Sequence, residues 1–155
     1  QEAVKKCAAR GHKAELFDFA DRELPYGDNS FDYVVMLDVL EHLYDPDSLL
    51  AEAKRVSKNF VIISVPNFSS LPARLQVVWG RVPENNRRGK GHIFWFNWNI
   101  LAKMLRAKEL KIVASKFRTF GQNRFFIGSI TRFFMNKIPN LFALSLVVKA
   151  SKNKF

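Results

Sequence analysis

The chain has 155 residues, 48% of them hydrophobic, which supports one domain with a real core and leaves too little for two ordinary ones. Its one cysteine, Cys7, excludes an internal disulfide framework and a multi-cysteine metal site, and no metal ligands are expected. No apolar run reaches the roughly eighteen residues of a membrane span and no secretory leader opens the sequence, so a cytoplasmic protein is expected.

The net charge of +11 is unevenly distributed. Residues 1–56 hold seven Lys and Arg against twelve Asp and Glu, a net −5, whereas residues 57–155 hold eighteen basic residues against only Glu84 and Glu109, a net +16. The second part therefore presents a cationic surface that favours an anionic partner, be it phosphate-bearing substrate, nucleic acid or acidic membrane; a basic solvated face without a specific partner is the plainer alternative.

Residues 2–9 place Ala3, Val4, Cys7 and Ala8 at helical spacing, with Gly11 just past the end. Lys13–Phe17 reads as a short strand ending at Asp18. A polar segment then leads through the turn residues Pro25, Gly27, Asp28, Asn29 and Ser30 to Phe31–Leu37, an apolar, β-branched and aromatic run typical of a strand covered on both faces. It stops at Asp38. Asp45 caps a helix with Pro46 in its first turn and Leu49, Leu50, Ala53 and Val56 on one face, and the chain returns through Phe60–Val65, cut off by Pro66 and followed by Asn67. Strand, helix, strand at this spacing is a right-handed parallel crossover, so the fold class is α/β. In open α/β sheets, ligands bind beyond the carboxyl ends of the strands, where Asp38, Glu41, His42 and Asn67 fall.

Residues 71–79 form a helix ending at Gly80, and residues 81–91 a basic loop with one proline and two glycines among its cations. His92 precedes a cluster of aromatics, and Asn97 caps a helix carrying Ile100, Leu101, Met104 and Leu105. Leu110–Phe117 and Leu141–Val148 read as strands. Between them the R-F-F unit occurs twice, and on a helix Phe125, Phe126, Ile130, Phe133 and Phe134 make an apolar stripe edged by Arg124, Arg132 and Lys137. Two readings stand for residues 124–137: an interfacial helix contacting anionic membrane, and a crossover helix packed on the sheet.

These residues together resemble a class I S-adenosylmethionine-dependent methyltransferase. FDYVVMLDVLEHLYDP resembles that family's fourth strand and following helix, KRV with FVIISVPN resembles the helix end and fifth strand, and PNF…RLQVVWGRVP…HIFWF resembles the MetW-like subgroup and methyltransferase type 11 relatives. The resemblance spans roughly residues 1–117. It implies a Rossmann-like, mostly parallel sheet with an antiparallel C-terminal strand, in a single partial domain: residues 1–66 the cofactor-side half, residues 67–155 the basic acceptor-side half. The family's glycine-rich first loop is absent, so an N-terminally truncated chain lacking the first strand-helix-strand unit is expected.

The resemblance also implies the cofactor, S-adenosyl-L-methionine, and its contacts. Asp18 resembles the carboxylate that accepts from the adenine amino group, with Phe19 against the ring; Leu37 and Asp38 resemble the strand-end pair along the methionine moiety, and Asp38 as a helix cap is the alternative. Methyl transfer needs placement more than a nucleophilic side chain, so a base serves only a poorly nucleophilic acceptor. His92 is the first candidate, His42 the second, with a structural role for either as the alternative. Asn67 and Tyr44 are candidate acceptor contacts. Three functions follow as expectations: methyl transfer to a small or lipid-linked, anionic acceptor; a non-catalytic MetW-like partner of a biosynthetic acyltransferase; and nucleic-acid methylation. The last is the weakest, because Val65-Pro66-Asn67-Phe68 lacks the leading residue and second proline of DNA amino-methyltransferases.

Overall fold

A computed structural model describes residues 2–17, 23–87, 89–119, 134 and 137–152. Asp18 and Phe19, and most of the R-F-F segment, lie outside the described residues. Helix α1 spans Glu2–Ala9, and Gly11 beyond it takes the left-handed conformation, φ +77°, that ends helices at little cost to glycine.

Four strands follow: β1 (Phe31–Leu37), β2 (Ser57–Pro66), β3 (Lys111–Thr119) and β4 (Ala143–Ser151), in the sheet order β1-β2-β4-β3. β1 and β2 are parallel, joined by α2 (Pro46–Val56), whereas β4 runs antiparallel to both of its neighbours. A parallel crossover with an antiparallel last strand is the arrangement that the sequence resemblance implies. Between β2 and β3 lie α3 (Leu71–Val78) and α4 (Trp98–Ala107), and a single turn, α5 (Pro139–Phe142), precedes β4. No described helix is long and apolar enough to cross a membrane.

Local chemistry explains the helix boundaries. The Asp45 carboxylate accepts from the backbone N–H groups of Asp47 (3.1 Å) and Ser48 (3.2 Å), and Pro46 costs no hydrogen bond in the first turn. Asn97 accepts in the same way from Ile100 N–H at 3.0 Å. The apolar faces of α2 and α4 then meet one face of the sheet: Leu49, Leu50, Ala53, Leu101, Met104 and Leu105 pack with Met36, Val61, Ile63, Val65, Leu146 and Val148. Each fully buried aliphatic side chain contributes about 1.5–3 kcal/mol relative to exposure.

Two expectations need correction. Lys13–Phe17 is not a strand: it is outside the four-stranded sheet of the described residues, and strand propensity alone does not supply a ladder. β1 is not covered on both faces either. Tyr33, Val35 and Leu37 remain 52%, 54% and 58% exposed, because α2 and α4 pack on the Val34 and Met36 side alone. On the open face Tyr33 stacks on Phe60 at 5.4 Å, and the Lys149 ammonium lies over the Phe60 ring at 3.7 Å, a cation–π contact that covers part of the apolar surface.

Candidate functional site at the carboxyl edge of the sheet

β1 and β2 are parallel and in register through Leu37 and Ser64, so the residues just past each strand come out at one edge. There Asp38 takes φ +52°, a left-handed conformation that aspartate tolerates better than most residues and that is common at sites. Ser64 holds it. The Asp38 N–H donates to the Ser64 carbonyl and hydroxyl oxygens, both at 3.1 Å, and the Ser64 hydroxyl donates back to the Asp38 carboxylate at 2.7 Å. The short 3₁₀ turn over Leu40–His42 makes no side-chain cap bond, so Asp38 is fixed across the sheet rather than along the chain.

Glu41 lies in that turn and is 1% exposed. Its carbonyl accepts from the N–H groups of Ile93 (2.7 Å) and Phe94 (3.0 Å), which ties the turn to the segment after the basic loop. That tie brings His92 beside Glu41, with Nε2 and Oε1 4.0 Å apart. His92 is also edged by His42, ring centroids 4.9 Å apart, and by Phe68 at 5.8 Å, while Phe68 stacks on Trp95. The His42 Nδ1–H donates to the Gly91 carbonyl at 3.0 Å. One buried carboxylate atom in this cluster, Glu41 Oε2, has no hydrogen-bond partner, and His92 Nδ1 has only the Asn85 main chain nearby, short of good hydrogen-bond geometry.

The electrostatics follow from burial. Desolvation pushes the Glu41 carboxyl above its ordinary range, with Asp38 adding to the effect while its backbone and His42 oppose it. Desolvation also pulls His92 down, assisted by His42 and Lys90 and opposed by the Asn85 main chain and Asp38. The imidazole is therefore neutral at physiological pH. All three side chains, with Asp38, line a cleft of about 640 Å³ whose walls include Phe68, Lys90, Arg118 and Ser145.

The expected site residues divide. Asp38, His42 and His92 come together at the cleft, while Leu37 is exposed beside it on the open edge strand. Tyr44 is 88% exposed and not among the cleft residues. Asn67 is fully buried: its side-chain N–H groups reach the carbonyls of Ala143 (2.7 Å), Asn140 (3.1 Å) and Pro139 (3.3 Å), and its oxygen accepts from Ser69 N–H. As placed, Asn67 fastens β2 to α5 and β4. Sequence reading missed Ser64, although a lone hydroxyl in the apolar run FVIISV was its signal, and it did not single out Glu41 as a partner of His92.

A mixed sheet with this crossover and cleft defines the Rossmann-like methyltransferase class. The chain superposes on a SAM-dependent methyltransferase from Archaeoglobus fulgidus with a TM-score of 0.66 at 16% identity, covering 98% of this chain and 73% of that one. A SAM-dependent methyltransferase from Thermotoga maritima gives 0.63 at 18% identity, with 98% and 70% covered. Magnesium protoporphyrin IX methyltransferase from Synechocystis, with bound SAH, gives 0.61 at 15% identity, and there the chain spans 57% of its length. No curated protein matches the chain. The family model for methionine biosynthesis protein MetW matches residues 1–100, and the protein belongs to that family.

Proposed function

We propose that the protein takes part in methyl transfer from S-adenosylmethionine to a small or lipid-linked, anionic acceptor. The observation that carries this reading is the cleft at the shared carboxyl edge of β1 and β2, where Asp38 is locked by Ser64 and where Lys90 and Arg118 add positive charge. A cofactor of this kind fits what borders it: β1 has an unpaired edge among the described residues, Leu37 offers exposed apolar surface, and Asp38 a fixed carboxylate. Asp18 and Phe19, on the resemblance, would hold the adenine.

The cofactor supplies an electrophilic methyl on sulfonium. The chain's own part is placement: Phe68, backed by its stack on Trp95, supplies one apolar wall, and Lys90 and Arg118 draw an anionic acceptor toward Asp38 and His92. Where the acceptor atom must lose a proton, His92 at the cleft wall is placed to receive it, and burial, which lowers its pKa, keeps it unprotonated for that role. A lipid-linked acceptor accords with the R-F-F segment, whose Phe134 is 39% exposed. Replacing Phe133 and Phe134 by Ser should weaken co-sedimentation with anionic vesicles, and unchanged binding counts against the lipid part.

A second reading is a non-catalytic subunit in methionine biosynthesis, the process the family description names, which keeps the fold as a docking body for the acyltransferase that the resemblance suggests. Calorimetry with S-adenosylmethionine separates the two. Saturable binding that weakens at least tenfold in Asp38→Ala supports the enzyme; absent binding leaves the subunit.

A further inference from the structure

Glu41, His42 and His92 each offer one ligand atom, and these atoms lie within 4.8 Å of one another. Two ligands sharing one tetrahedral ion at about 2.0–2.2 Å stand roughly 3.4 Å apart, so His92 Nε2 and Glu41 Oε1 at 4.0 Å need only a small inward adjustment. We propose that Glu41, His42 and His92 form a binding site for a divalent transition cation of the Zn²⁺ type, with a further coordination position open to the cleft.

Two observations point to a cation rather than to a satisfied structural cluster. First, Glu41 is 1% exposed, yet its Oε2 has no partner, and a buried carboxylate in that state is costly unless a cation meets it. Second, the Gly91 carbonyl accepts from His42 Nδ1, the outer hydrogen bond that commonly fixes the tautomer and ring orientation of a metal-bound histidine. Gly91 itself, at φ +68°, is in the left-handed conformation that favours glycine, which fixes the main chain that presents this carbonyl. Two imidazoles and one carboxylate select a borderline transition ion; Mg²⁺ and Ca²⁺ prefer oxygen ligands throughout. All three side chains border the cleft, so a three-ligand ion would keep a face toward it, as open-site zinc does. The nearby Lys90 opposes a dication, while Asp38 at the same cleft favours it.

Ligation would occupy the imidazole lone pair of His92, so proton acceptance there would give way to Lewis-acid assistance: the acceptor's anionic oxygen would take the open position. That use rests on the methyl-transfer reading, whereas the cation site does not.

The test uses the untagged, chelator-stripped protein without S-adenosylmethionine, titrated with Zn²⁺ by calorimetry and with Co²⁺ by visible absorption. The expected result is one Zn²⁺ per chain at micromolar affinity or tighter and d–d bands of a four- or five-coordinate Co²⁺ site. Affinity should fall at least tenfold in Glu41→Gln, which keeps side-chain volume, and in His42→Ala, which alters an exposed side chain, with unchanged circular dichroism. His12→Ala, remote in sequence, should leave binding intact. Absent Zn²⁺ binding at millimolar concentration, or binding indifferent to both Glu41→Gln and His42→Ala, overturns the proposal, whatever the S-adenosylmethionine titration shows.

Discussion

The two ends of the parallel pair β1–β2 treat their polar groups in opposite ways. At the amino edge, Arg55 closes a saturated network: its guanidinium donates to both Glu52 oxygens at 2.8 Å, to the carbonyls of Tyr26 (2.8 Å) and Leu24 (3.1 Å), and to Asp28 at 3.0 Å. The Leu24 N–H returns a bond to Glu52 at 2.8 Å. At the carboxyl edge, Asp38 is equally well held by Ser64, but Glu41 keeps a buried carboxylate oxygen without a partner. A saturated network fixes the fold, and its polar groups have no capacity left for a ligand. Unsatisfied buried groups cost stability that a ligand can recover, which is why the difference between the two edges locates the site.

Breaking the carboxyl edge where it is saturated should have the largest effect on folding. Asn67→Ala removes a fully buried amide and leaves the Ala143 and Asn140 carbonyls and Ser69 N–H short of partners; we expect a loss of about 2–3 kcal/mol in urea unfolding, from the cost of unmet buried groups. Asp38→Ala should cost about 1 kcal/mol through the lost Ser64 bond and a left-handed alanine, and it should weaken S-adenosylmethionine binding at least tenfold in calorimetry.

Charge removal sharpens the comparison further, because the two edges respond with opposite sign. Arg55 holds the Glu52 carboxyl below its ordinary range, so the folded state binds that proton less readily than the unfolded chain. Its contribution is full above about pH 4.3 and is lost as the pH falls through the lowered value, so Glu52→Gln should destabilise at pH 7, by less than about 1 kcal/mol, and have no such effect at pH 2–3. Burial raises the Glu41 carboxyl instead, so the folded state holds that proton more tightly, and stability falls as the pH rises from about 4.3 through the raised value. In the presence of chelator, Glu41→Gln should therefore stabilise the protein at pH 7, by about 1 kcal/mol, with the gain vanishing at pH 3. Chemical unfolding at the two pH values checks both signs.

Much of the fold was legible in the sequence because its determinants are local. Asp45 and Asn97 cap the helices they were expected to cap, and the periodic apolar residues of α2 and α4 are the ones that face the sheet. Lys13–Phe17 misled because β-ladder partnership is non-local and propensity alone does not supply it. At the site, Asp38 and His42 were readable as strand-end residues, but their partners were not. Ser64 meets Asp38 through strand register, and His92 meets Glu41 across the basic loop through two backbone bonds to Ile93 and Phe94. Asn67 occupies the strand-end position where a ligand contact was expected, and the distant α5–β4 segment takes up its amide.

The central claim, that the carboxyl edge is a cofactor site, is tested most directly by isothermal titration of the intact protein with S-adenosylmethionine and its demethylated product. The account predicts one saturable site whose affinity falls at least tenfold in Asp38→Ala and in Asp18→Ala, and is unchanged in Glu52→Gln at the amino edge. No binding heat for either compound at millimolar concentration, or binding that survives both aspartate substitutions, would contradict it.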